Sequence, residues 1–333
     1  MACIWRPLGS LIIACAAWLG FGNQPALAVD ACPLKLGASV PVTRLGEPPA
    51  LLVTAGVADT TWRMLFDTGA STTVIEGAAA LRAGIGKING NGGHRLFPNA
   101  KLNGAGGEVS IAEAPNVPLK LDRLWISVGY VGVTNPIAPL YKNQFDGLLG
   151  ADALLPYDFE YDPQAGRINI FSQEHCPGKV VYWANEYSEM RFERGDDHRV
   201  AVTVKIGGKS LRGIIDTGAG HTSMSWKAAS DEFGLMETSP GISSIPSTTL
   251  TSDGRALVTS RYTFDAIEFG SLRVRNATVN ILPQYSSSWL TRTFGFDDDA
   301  PQVIIGMDVL QHLHFYVANA EQKIYFTVVP PPT

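Results

Sequence analysis

The sequence predicts a mainly β protein built from two similar lobes in tandem. Three observations carry this reading. Phe66-Asp67-Thr68-Gly69-Ala70 returns as Ile215-Asp216-Thr217-Gly218-Ala219, 216 − 67 = 149 residues later. A second block, Phe145-Asp146-Gly147-Leu148-Leu149-Gly150-Ala151-Asp152, is matched by Gln302-Val303-Ile304-Ile305-Gly306-Met307-Asp308, with offset 306 − 150 = 156. The stretches around these blocks alternate apolar and polar residues and are punctuated by glycines, which is the pattern of half-buried strands and tight turns. A repeat of this length means that one supersecondary unit was built twice.

The first residues lie outside this pattern. Arg6 is the only charge before an apolar run over residues 8–21, which Gly22, Asn23 and Pro25 break. Ala26-Leu27-Ala28 then offers small residues at signal-peptidase spacing. Residues 1–28 are therefore expected to be a secretory signal, cleaved after Ala28. A membrane anchor or a buried helix is the alternative, but the run is short of the ~20 residues a span needs. Export would place the mature chain in the periplasm or outside the cell, with no stable membrane association after cleavage. It would also leave Cys32 and Cys176 in an oxidising compartment, where two cysteines read as a disulfide, with two unrelated buried thiols as the alternative.

The expected organisation is residues 29–172 as the N-terminal lobe, 173–189 as linker, 190–329 as the C-terminal lobe and 330–333 as a frayed tail. Within each lobe the offset of 149 also aligns Leu51-Leu52-Val53-Thr54 with Val200-Ala201-Val202-Thr203, Gly46 with Gly195 and Arg63 with Arg212. Residues 200–206 alternate at period two, Gly207-Gly208 turns, and residues 211–215 return. That hairpin delivers Asp-Thr-Gly onto a loop. A short helix is expected after each loop, over residues 78–83 and 227–233, stopped by Gly84 and Gly234. Asn103-Gly104 and Asp253-Gly254 are hairpin-turn signals between the blocks. The register of the second block continues through Leu154 on Leu310, Phe159 on Phe315 and Ile168 on Ile324.

Composition excludes several classes. With 45% apolar and 17% charged residues the chain has ample core and is not disordered. Its net charge of −5, with no long run of either sign, recruits neither nucleic acid nor an anionic membrane. A His-Glu-x-x-His zinc motif and a Gly-x-Ser-x-Gly elbow are both missing. Gly90-Asn91-Gly92-Gly93 lacks the Lys-Ser/Thr of a phosphate loop. His312 and His314 flank Leu313, but their counterparts in the first copy include no histidine, so they read as structural. No metal or cofactor is implied.

A lone Asp-Thr-Gly is usually a turn. Two copies, each behind matched apolar strands and each followed by apolar-apolar-Gly, resemble the aspartic protease clan. Alanine after the glycine in both copies resembles the retropepsin-like branch more than the pepsin branch, where a hydroxyl residue usually follows. The resemblance implies a bilobal aspartic-protease fold of two tandem retropepsin-like β-barrel lobes with short helices, and a peptidase active as a monomer on polypeptide substrates. It implies Asp67 and Asp216 as the catalytic pair. Thr68 and Thr217 would bond across to the opposite loop, and Gly69 and Gly218 would let backbone amides approach the carboxylates, with Ala70 and Ala219 beside them. Two carboxyls a few Å apart cannot both ionise and so share one proton, which supplies a general base and a general acid at once. Residues 102–113 and 250–262 are candidate flaps. The loops diverge after the alanine, Ser71-Thr72 against Gly220-His221, and a peptide-binding module that keeps the fold without catalysis is the competing reading.

Overall fold

The structure is a computed structural model that describes residues 33–85, 97–104, 107–134, 144–250, 256–282 and 302–329. The first half contributes β1 (Leu36–Pro41), β2 (Thr43–Leu45), β3 (Ala50–Val57), β4 (Thr60–Phe66), β5 (Val74–Glu76), α1 (Gly77–Arg82), β6 (Phe97–Gly104), β7 (Gly107–Leu121), β8 (Leu124–Thr134), β9 (Gly147–Leu149), α2 (Ala151–Leu154), β10 (Asp158–Asp162) and β11 (Arg167–Phe171). The second contributes β12 (Ser188–Arg191), β13 (Glu193–Arg194), β14 (Val200–Ile206), β15 (Lys209–Ile215), β16 (Ser223–Ser225), α3 (Trp226–Phe233), β17 (Ser243–Leu250), β18 (Ala256–Phe269), β19 (Leu272–Leu282), β20 (Val303–Ile305), α4 (Met307–Leu310), β21 (Leu313–Ala318) and β22 (Lys323–Val328). The fold is bilobal and mainly β, with short helices.

Each half builds an eight-stranded sheet in the same order: β2-β3-β4-β9-β5-β8-β7-β6 and β13-β14-β15-β20-β16-β19-β18-β17. The alternation read in the sequence is what folds. Along β14 the side chains of Val202, Val204 and Ile206 are buried, while Thr203 and Lys205 between them are exposed. The β14–β15 turn places Gly207 and Gly208 at φ +53° and +82°, conformations a side chain disfavours. The equivalent β3–β4 turn manages with Ala58 at φ +48°. Helix α3 starts where Ser225 Oγ accepts a hydrogen bond from Ala228 N (3.1 Å) and ends at Gly234 in the left-handed region, as its sequence signals require.

The apolar-apolar-Gly blocks become β9 and β20. β9 runs parallel to β4, with Phe66 opposite Leu149, and antiparallel to β5, with Val74 opposite Leu148. β20 relates to β15 and β16 in the same way. The Asp-Thr-Gly loop therefore leaves one strand beside the block and re-enters the sheet on its other side, so the block backs the loop throughout.

A third sheet takes strands from both halves, in the order β1-β11-β10-β21-β22-β12. Its centre pairs β10 with β21, Glu160 opposite Tyr316. One face carries Phe159, Tyr161 and Phe315 into the main core, where Phe66 meets Phe159 edge-on at 5.4 Å. The opposite face is polar yet buried. Asp158 accepts from Asn319 N (2.7 Å) and Tyr316 Oη (3.1 Å) and lies 2.6 Å from His175 Nε2. Glu160 accepts from Asn169 Nδ2 (2.7 Å) and Tyr182 Oη (2.6 Å) and lies 2.6 Å from His314 Nε2. Trp183 stacks flat on His314 at 4.1 Å. The segment expected only to join the lobes thus also covers this face, and His314 is a structural partner of Glu160.

Candidate active site

The two Asp-Thr-Gly loops meet each other. Thr68 N donates to Thr217 Oγ1 (3.1 Å), and Thr68 Oγ1 donates to Ile215 O (2.7 Å). The reciprocal pair is Thr217 N to Thr68 Oγ1 (3.1 Å) and Thr217 Oγ1 to Phe66 O (2.6 Å). Both threonines are buried. Each hydroxyl donates once and accepts once, so four bonds with every partner satisfied lock the loops about a local two-fold axis.

This lock brings Asp67 and Asp216 together. A Cβ on Gly69 would overlap the carboxyl of Asp216, and one on Gly218 would overlap the carboxyl of Asp67. Glycine is thus required in each loop by the aspartate of the other, a stronger demand than the expected approach of amides alone. The amides do approach. Asp67 Oδ1 accepts from Gly69 N (3.0 Å) and Ala70 N (2.9 Å), and Asp216 Oδ1 accepts from Gly218 N (2.8 Å) and Ala219 N (3.1 Å). Burial pushes Asp67 well above the usual carboxylate range, and the neighbouring Asp216 pushes it further by charge and by a side-chain hydrogen bond. Burial also raises Asp216, but its loop amides, its hydrogen bond with Asp67 and the charge of Arg199 hold it back. The two buried carboxyls thus face each other across the lock, each against the glycine of the opposite loop.

The profile of the aspartyl protease family matches residues 53–153 and 202–309, one match per half and together more than half of the chain. The chain belongs to the aspartyl protease family. No curated protein matched the sequence.

Of the residues singled out from the sequence of this family member, Asp67, Thr68, Gly69, Ala70, Asp216, Thr217, Gly218 and Ala219 come together in one constellation. Cys176 lies on the segment between the halves, apart from the loops, and Cys32 is outside the described residues. The first candidate flap falls on β6–β7, where pairing runs through Gly104 opposite Gly107, so Asn103-Gly104 belongs to the strand rather than to the turn. The second falls on β17–β18, with Asp253-Gly254 outside the described residues. His221 is exposed and its Nδ1 lies 3.7 Å from Asp308 Oδ2.

Sequence reasoning missed a second pair of contacts in this aspartyl protease fold. Thr73, just after the first loop, bonds Asp152 in the first turn of α2, and Thr222 bonds Asp308 in the first turn of α4. The signal was present: the offset of 149 aligns Thr73 with Thr222, and the offset of 156 aligns Asp152 with Asp308.

Proposed function

We propose that this protein is an aspartic endopeptidase that hydrolyses peptide bonds with a water activated by the Asp67/Asp216 pair. The observation that carries the reading is the pair itself: two facing carboxyls, both pushed toward the protonated form by burial, with the glycine of each loop against the aspartate of the other. One shared proton leaves one carboxylate charged. The charged group takes a proton from water as it adds to the scissile carbonyl carbon, while the neutral group gives its proton to the carbonyl oxygen. The resulting diol collapses as the amine nitrogen takes a proton from the pair, a diol hydroxyl returns one to it and the C–N bond breaks. An acid and an amine leave, and the pair again holds one proton. Thr68 and Thr217 keep the loops in register, and Ala70 and Ala219 supply backbone amides to the charged form.

The β6–β7 and β17–β18 hairpins are the proposed flaps over an extended peptide. Export with loss of residues 1–28, action as a monomer and a Cys32–Cys176 disulfide belong to the same reading. The participation of Cys176 in a disulfide supports the last of these.

The deciding experiment incubates the mature protein and Asp67→Asn with an unfolded protein across pH 3–8 and looks for new peptides. Cleavage by the parent and none by the variant is the expected result. Peptide capture by the parent with no hydrolysis at any pH replaces this reading with that of a binding module.

A further inference from the structure

We propose that Thr73 with Asp152, and Thr222 with Asp308, are positioning residues that hold the loop amides on the catalytic carboxyls. The inference rests on the aspartic-peptidase reading. Each loop is fixed where it begins, by Asp67 N on Leu149 O (3.0 Å) in one copy and Asp216 N on Ile305 O (3.0 Å) in the other. What fixes the far end is a clasp. Thr73 N and Oγ1 both donate to Asp152 Oδ1 (2.9 and 2.7 Å), and Gly150 N donates to Thr73 Oγ1 (3.1 Å). In the second copy Thr222 N lies 2.9 Å from both oxygens of Asp308, Thr222 Oγ1 donates to Asp308 Oδ1 (2.7 Å), and Gly306 N donates to Thr222 Oγ1 (3.1 Å). Both threonines are buried.

The clasp reaches the chemistry through one residue in each loop. Ala70 accepts from Ala151 N (2.8 Å) with its carbonyl and donates its own N–H to Asp67 Oδ1. Ala219 accepts from Met307 N (2.8 Å) and donates to Asp216 Oδ1. The first turns of α2 and α4 thus hold the residues whose amides face the pair, and the aspartate in each turn is tied to the loop's exit. Side chains on Gly150 or Gly306 would strike the backbone of residues 72–73 or of residues 219 and 221, so helix start and loop are packed directly together. Amides donated to a carboxylate favour its charged form. A loosened clasp lets those amides drift, and the pair then holds its shared proton to higher pH. The other groups facing this assembly are Arg199 toward Asp216, His198 toward Asp152 and His221 toward Asp308. All three are unchanged in the variants below.

The test compares the parent with Thr73→Val and Thr222→Val, which keep the threonine's shape and lose its hydroxyl, and with Thr73→Ser and Thr222→Ser, which restore it. Two readouts are taken: kcat and KM on one peptide across pH, and a carbon-13 NMR titration of the aspartyl carboxyls, which needs no turnover. The valine variants are expected to lose about tenfold in kcat with little change in KM. Their acid limb and their carboxyl titration should both move to higher pH, and the serine variants should follow the parent. Asp152→Asn and Asp308→Asn offer the threonine a neutral acceptor and weaken the clasp without breaking it. They should give a smaller shift of the same sign, and they serve if a valine variant is too unstable to titrate. Folded variants whose carboxyls titrate as in the parent, whatever their melting temperature, overturn the inference. A parent that cleaves nothing overturns the peptidase reading instead, and the titration still decides the clasp.

Discussion

The loop at Asp67 and the loop at Asp216 share the hydrogen bonds of the threonine lock and of the aspartate amides and differ in the charge around them. The cross-loop threonine bonds, the amides on each aspartate and the backing strand are reproduced to within 0.2 Å between the copies. Burial raises both aspartates, and the charge of Arg199 acts against that rise at Asp216. The comparison teaches that symmetric geometry here frames a pair in unequal surroundings, with the charge of Arg199 acting on Asp216. The loop sequences diverge after the alanine, at Ser71-Thr72 against Gly220-His221, past the last residue the lock involves.

The bluntest way to break the comparison is to remove either carboxylate. Asp67→Asn and Asp216→Asn should each reduce peptide cleavage to background while the circular dichroism spectrum stays that of the parent, since neither aspartate can perform both roles. Substantial turnover in one of them would make the pair functionally one-sided. Next come Gly69→Ala and Gly218→Ala. Each should lower kcat by about a hundredfold or more, because the new methyl displaces the carboxyl of the opposite loop. The carboxyl NMR signal that moves should be Asp216 in the first and Asp67 in the second.

Thr68→Val and Thr217→Val test the lock. Each strips partners from a buried amide and a buried carbonyl, at about 1–3 kcal/mol apiece, so roughly 2–6 kcal/mol of unfolding free energy should be lost in denaturant titration. Unequal losses would show that the lock is less symmetric than its distances.

The pH behaviour sharpens the electrostatic half. Both aspartates are raised in the folded protein, so the fold keeps a proton that the unfolded chain releases. That contribution to stability is complete below the ordinary carboxylate range and is lost as pH rises through the raised values. Asp67→Asn removes it, so this variant should melt higher than the parent at pH 7 and alike at pH 3, by calorimetry. Activity should follow a bell with an optimum at about pH 4–6, because Ala70 and Ala219 have no hydroxyl to stabilise the charged form. Ala219→Thr should shift the acid limb downward in a pH–rate profile. The smallest effect belongs to His221→Thr, which restores local symmetry at an exposed position. It should change stability by no more than about 0.5 kcal/mol in the same calorimetry.

Much of this was legible in the chain. The hairpin into Asp216 declared itself by alternation and Gly207-Gly208, and α3 by Ser225 and Gly234, because local signals agreed with the fold. The Asp-Thr-Gly constellation was legible because it is repeated. The shared sheet was not. Asp158-Phe159-Glu160-Tyr161-Asp162 alternates like a surface strand, and its polar face is buried only because groups elsewhere in the sequence, among them His175, Tyr182, His314 and Tyr316, pair with it. The clasp escaped for the same reason: Thr73 and Asp152 lie 79 residues apart, and hydrogen bonding at that range leaves no periodicity to read.

The shared sheet takes three strands from each half, so neither half can complete it alone. Had the halves been separate identical chains, assembly would depend on concentration, and every inherited substitution would appear on both sides of the axis. Carried on one polypeptide, the stoichiometry is fixed at one to one and a substitution appears once. His221 stands opposite Thr72 under those terms, and each loop is free to specialise while the other preserves the original frame.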